Sequence, residues 1–252
     1  MPHGPTLKLI LVLVIVGLAL ATGLPPLLRR AHGRTPGAVA WGEALAAGVF
    51  LGAGLIHMLG DADSDFAEAG VDYPWSMVIC GAVLLALLWV EHFGNRLSEA
   101  RGVNANTLPV MGAAVLSVHS FLAGAAFGSS STAAVTLVIF FAVLAHKGAA
   151  AFALAQELSQ STLGTATTLL LFTLFVGMFP AGALVGQLVG AETAAHPLVE
   201  PVFASLAAGT FLYLATLHGL RDNVLIADAK KAPEFTLTVL GFALMAIVAI
   251  WT

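Results

Sequence analysis

The feature that most constrains this chain is a series of eight long apolar runs separated by short polar connections. The runs cover residues 9–28, 38–59, 75–93, 108–127, 133–158, 163–189, 202–217 and 235–251. Because lipid offers the backbone no hydrogen-bond partner, a run of about 20 apolar residues predicts a helix that crosses the bilayer. Charged residues make up 10% of the chain, whereas soluble domains carry about a quarter. The sequence therefore predicts an all-α, polytopic integral membrane protein with eight transmembrane helices.

The connections indicate a single domain. None of them is long enough to form a soluble domain, so we expect residues 1–252 to form one transmembrane unit. The first run resembles the core of a cleaved signal peptide, but it continues to Leu28 and ends in Arg29 and Arg30, which favours a retained span. Cys80 is the single cysteine, which excludes a disulfide framework within the chain.

Charges are sorted by connection. The first, third and seventh connections hold the positive residues Arg29, Arg30, Arg34, Arg96, Arg101, Arg221, Lys230 and Lys231. The second and sixth hold only acidic charges, namely Asp61, Asp63, Asp65, Glu68, Asp72, Glu192 and Glu200. By the positive-inside rule, the first set is cytoplasmic and both termini face outward. The acidic connections are then either a surface that attracts cations or ordinary solvated loops.

Two histidines lie near the middle of adjacent spans. His119 is halfway along the fourth run and His146 halfway along the fifth, and a short Ser/Thr turn joins these runs into an antiparallel hairpin. Ionisable groups cost about 2.5–3.5 kcal/mol at mid-helix, so they tend to mark pathways. Two neutral imidazoles supply half of a four-coordinate site for a zinc-like ion. The alternative is a pair of hydrogen bonds between helices.

Other ionisable residues outline a path through the membrane or surround the site. They are His57, Asp61, Glu91, Lys147, Glu157 and His218. The Lys147 ammonium needs a partner and repels a metal ion, and we expect it to replace a second cation. Glu157 follows His146 by three helical turns, about 16 Å closer to the cytoplasm. It is either an exit ligand or an ordinary interfacial carboxylate.

Several segments resemble the ZIP (Zrt/Irt-like) family of zinc and iron transporters. They are Gly-Leu-Ile-His57-Met-Leu-Gly-Asp61-Ala in the second span, Glu91-His92-Phe93 in the third, His119-Ser120 in the fourth, His146-Lys147-Gly148 in the fifth and Ser205 to Tyr213 in the seventh. The resemblance implies eight helices in a 3+2+3 arrangement with both termini outside. It also implies that His119, Ser120 and His146 are the metal ligands, with Lys147 at a second-site position.

Two positions depart from the family pattern. The family usually has Glu four residues after the histidine of the fourth span, where this chain has Ala123. The position in the fifth span that often holds Glu or a second His is Ala150. The expected site therefore contains no carboxylate.

We expect the chain to move a divalent metal ion, zinc before iron, manganese or cadmium, into the cytoplasm by alternating access. One alternative is a ZIP-like protein that binds or senses metal without transporting it. Another is an intramembrane metalloenzyme, which needs three ligands, an open position and a general base. No prosthetic group or nucleic-acid partner is expected. The expected surroundings are the lipid bilayer of the cell membrane, and a homodimer is compatible with this interpretation.

Overall fold

A computed structural model describes residues 4–29, 36–101, 106–130, 132–193, 197–216 and 232–250. The regular structure in these ranges is helical. The helices are α1 (Gly4–Arg29), α2 (Pro36–Gly52), α3 (Leu59–Glu68), α4 (Trp75–Arg101), α5 (Thr107–Ser129), α6 (Ala133–Gln160), α7 (Thr165–Thr193), α8 (Val199–Tyr213) and α9 (Ala232–Val248). A short π-helical segment, Ala53–Met58, joins α2 to α3 without a break.

The helices confirm an all-α, polytopic membrane fold. Seven helical stretches in the described residues are long and apolar enough to cross a bilayer, and α9 is apolar but only 17 residues long. Exposed side chains on these helices include Leu85, Leu170 and Leu188, as expected for surfaces that face lipid. The outward orientation of both termini stays a prediction. The positively charged connections at residues 30–35 and 217–231 lie outside the described residues.

The second span is longer than the apolar run predicted. Helix continues through the π-helical segment and α3, so Asp61, Asp65 and Glu68 lie on a helix and not in a loop. The buried side chains of Ala62 and Phe66, four residues apart, hold one face of α3 against the protein. The helix ends before Gly70, whose φ of 78° suits glycine. The acidic groups therefore have a defined helical spacing.

Glycines bring two pairs of helices into backbone contact. A Cβ added at Gly124 in α5 would lie 2.1 Å from the carbonyl oxygen of Phe179 in α7, and one at Gly182 would lie 2.0 Å from that of Phe121. Likewise, a Cβ on Gly48 in α2 would lie 1.9 Å from the carbonyl oxygen of Thr238 in α9. Small residues allow such close packing where lipid supplies no hydrophobic driving force. The glycines therefore set the distance between these helices.

The helices that carry the two mid-span histidines have different neighbours. Helix α5 packs mainly on α7, whereas α6 packs on α1 and α2. Helix α4 packs on α8, and α2 also packs on α9. The facing side chains of α5, α6 and α8 therefore meet in the interior, where the candidate site lies.

Candidate metal-binding site

The imidazoles of His119 and His146 lie together inside the protein. Their ring centroids are 5.6 Å apart and the ring planes make an angle of 61°. Only 7% of His119 and 2% of His146 is exposed. The contact expected from the fourth and fifth spans is confirmed.

The two imidazoles have few hydrogen-bond partners among the described residues. Both ring nitrogens of His119 are buried without one, whereas the His146 imidazole interacts with the backbone of Ala142. A buried polar atom without a partner costs about 1–3 kcal/mol, and this cost is relieved when a ligand takes the lone pair. Within the described ranges, no group of three or more His, Cys, Asp or Glu side chains is arranged to hold a metal ion. The described site therefore offers two imidazoles and no carboxylate.

Ser120 and Lys147 form a separate polar contact beside the imidazoles. The Lys147 ammonium donates a hydrogen bond to Ser120 Oγ, and the Ser120 hydroxyl donates to the carbonyl oxygen of Phe175 at 3.1 Å. The ammonium also lies 4.0 Å from the centroid of the Phe175 ring and 5.6 Å from that of Phe179. Aromatic faces attract a desolvated cation by about 2 kcal/mol or more. In this arrangement the Ser120 hydroxyl interacts with Lys147.

A third aromatic side chain covers the two imidazoles. The Phe211 ring centroid lies 4.3 Å from that of His119 and 5.2 Å from that of His146. The centroid of the Phe50 ring in α2 lies 5.0 Å from that of Phe211. The fully buried Phe211 ring therefore contacts both imidazoles and an aromatic ring of α2.

His57 and Asp61 form a pair at the end of the π-helical segment. His57 Nδ1 lies 2.7 Å from Asp61 Oδ2, and the His57 side chain is 19% exposed. His57 is an electrostatic neighbour of both His119 and His146, so the three imidazoles share one region. The π-helical geometry favours a functional role for this pair, because π-helical turns occur frequently at functional sites.

The remaining path residues lie at the opposite end of these helices. Tyr213 donates a hydrogen bond of 2.9 Å to Glu91 Oε2, which links α8 to α4. Glu157 is half-buried against α5, where a Cβ added at Gly112 would lie 2.9 Å from its Oε2 atom. Its charge acts on the Tyr213 phenol, as does that of Glu91. His218 lies outside the described residues.

Sequence reasoning assigned no role to several aromatic residues at the site. Phe175 and Phe179 lie four residues apart on α7, a spacing that puts both on one face. A buried lysine with no carboxylate nearby in sequence requires an aromatic or hydroxyl partner. This requirement was the sequence feature that could have indicated aromatic residues beside Lys147. Nothing in the local sequence indicated that Phe211 would contact the histidines.

Comparisons with known proteins agree with the resemblance. The family model described as ZIP Zinc transporter matches residues 98–249, more than half of the chain. Zinc transporter ZIP2 of Mus musculus is 26% identical over 82% of this chain and 83% of its own length. The Homo sapiens protein of that name is 27% identical over 82% and 84%. Zinc transporter ZIP1 of Danio rerio is 35% identical over 52% and 43%. The chain therefore belongs to the ZIP family, and it is a multi-pass membrane transporter of metal ions and not an enzyme.

Proposed function

We propose that this chain carries zinc ions into the cytoplasm through a site centred on His119 and His146. The observation that carries the proposal is the pair of facing, buried imidazoles, of which His119 has no described partner for either ring nitrogen. Zinc binds imidazole nitrogen at about 2.0–2.1 Å and usually takes four ligands. Two positions on the ion then remain for water or for other side chains that approach during transport. Iron, manganese and cadmium are secondary candidates.

The distribution of acidic residues supports transport of the ion from the outside into the cytoplasm. Asp61, Glu68 and Glu200 lie close enough to Asp65 for their charges to act on it, so α3 and α8 together form an acidic surface. The positive-inside rule assigns this surface to the outside, where it raises the local concentration of cations. His57 and Asp61 follow on the way to the histidine pair. Glu91 and Glu157 near the other end are candidates for the exit.

The charge of Lys147 limits the number of ions. Lys147 is 4% exposed and lies beside the site, so a second divalent ion would meet the positive charge of its ammonium in a weakly screening environment. Ala123 and Ala150 supply no compensating carboxylate. We infer that one metal ion occupies the site during each transport cycle.

The test is zinc uptake into proteoliposomes by the natural protein and by His119→Ala and His146→Ala. Both substitutions should reduce uptake to the level of empty liposomes while leaving membrane insertion intact. The matched control is His92→Ala, since His92 is an exposed histidine on α4. Uptake by either site variant at the natural rate would remove that histidine from the site.

The absent carboxylates favour one second candidate, a protein that binds or senses metal without moving it. Calorimetry in detergent distinguishes the two candidates. Tight zinc binding by the natural protein without any uptake would replace the transport proposal with this one.

A further inference from the structure

Phe211 on α8 contacts both histidines of the candidate site. Its ring lies against both imidazoles at 4.3 and 5.2 Å between centroids, and no part of it is exposed. A phenyl ring offers no lone pair to a metal ion. It occupies the interhelical space that an ion bound to His119 and His146, together with its water, would otherwise share.

Close packing on both sides fixes the position of this ring. A Cβ added at Gly209, two residues earlier, would lie 2.6 Å from the carbonyl oxygen of Cys80 in α4. A Cβ added at Gly54 in the π-helical segment would lie 3.3 Å from the carbonyl oxygen of Ala208. Helix α8 is therefore held between α4 and the second span, and the Phe50 ring packs against Phe211. Moving the ring away from the histidines requires a rotamer change or a displacement of α8.

We propose that Phe211 is a specificity-determining residue for metal transport, because its ring confines the His119 and His146 site to ions that exchange most of their water for imidazole. This inference rests on the proposed function. Manganese and magnesium prefer oxygen ligands, and magnesium is reluctant to lose its water. Zinc accepts imidazole nitrogen and a compact tetrahedral geometry. The apolar Phe211 ring, which contacts both imidazoles, therefore disfavours manganese and magnesium more than zinc.

The first experiment measures how well the ring covers the histidines. Detergent-solubilised protein is treated with diethyl pyrocarbonate, and carbethoxylation of His119 and His146 is followed by peptide mass spectrometry with the exposed His92 as the reference. In Phe211→Ala both sites should react about tenfold faster or more, since a covered group reacts only through local openings. In Phe211→Leu, which keeps most of the apolar volume, the increase should be smaller.

The matched control is Phe203→Ala, which removes a phenyl ring from the same helix at a position that is 40% exposed. Its carbethoxylation rates should equal those of the natural protein. Equal rates in Phe211→Ala and Phe203→Ala would overturn the proposal, because the ring would then provide no cover.

The second experiment measures specificity as the ratio of manganese to zinc uptake in proteoliposomes. This ratio should rise about tenfold in Phe211→Ala, since opening the site admits an ion that keeps more of its water, and it should be unchanged in Phe203→Ala. Faster carbethoxylation with an unchanged uptake ratio would overturn the specificity role. Failure of the proposed function appears differently: the natural protein itself would show no zinc uptake, whatever the carbethoxylation rates of the variants.

Discussion

Gly182→Ala tests whether backbone contact between α5 and α7 is needed to hold the site together. The substitution adds one methyl group, which would lie 2.0 Å from the carbonyl oxygen of Phe121 and 3.0 Å from the backbone nitrogen of Ala125. Both obstacles are backbone atoms of a packed helix, so no side-chain rotation can relieve the overlap. The two helices have to separate locally. Gly177 lies five residues earlier on α7, and a Cβ there would meet nothing within 4 Å.

The expected magnitude follows from two opposing effects. Replacing glycine by alanine within a helix contributes up to about 1 kcal/mol of stability through backbone propensity. Inserting a methyl group into a well-packed interior costs about 1–3 kcal/mol, and more where the backbone must move. Gly177→Ala experiences only the first effect, whereas Gly182→Ala experiences both. We therefore expect the pair to differ by about 1–3 kcal/mol, or several degrees in melting temperature.

The assay is thermal unfolding in detergent, followed by size-exclusion chromatography, together with zinc uptake. Gly182→Ala should melt below the natural protein, and Gly177→Ala at or above it. Uptake should also fall in Gly182→Ala, because Ser120 in α5 donates to the Phe175 carbonyl in α7 and separation of the helices disturbs this contact. Equal melting temperatures for the two variants would refute the argument that these helices are in backbone contact.

Two further predictions concern the charges around the site. The natural protein should bind one equivalent of zinc in calorimetry. The double variant Ala123→Glu with Lys147→Asp should bind two, because it exchanges a buried ammonium for two carboxylates. Two tightly bound equivalents in the natural protein would contradict the role of Lys147. Tyr213→Phe should lower thermal stability by about 1.5–3 kcal/mol, the usual contribution of a hydrogen bond to a charged group, because it removes the bond to Glu91. An unchanged melting temperature in Tyr213→Phe would show that water replaces the phenol.

Most of the fold was predictable from local sequence. The number and approximate bounds of the spans follow from apolar runs, since every backbone group within lipid must be satisfied inside its own helix. The approach of His119 and His146 was also predictable, because a short turn forces the fourth and fifth spans into an antiparallel hairpin with each histidine near its middle. The helical structure of the acidic end of the second span was not predictable in this way. Apolar character ends near Leu59, but burial of Ala62 and Phe66 extends the helix to Glu68.

What only the tertiary structure decided is which helices surround the histidine pair. Apolar periodicity does not encode partners in a bilayer, because every lipid-facing surface is as apolar as the interior and association depends on shape. The sequence alone therefore determined the spans, their small residues and the two imidazoles. The contacts of Phe211 with both imidazoles required α8 to pack beside helices distant from it in sequence. The contacts of Lys147 with Ser120 and Phe175 join three consecutive helices, and they required these helices to turn the three side chains toward one another. The glycines of α5 and α7 set part of that packing, since only residues without a side chain allow two backbones to approach so closely.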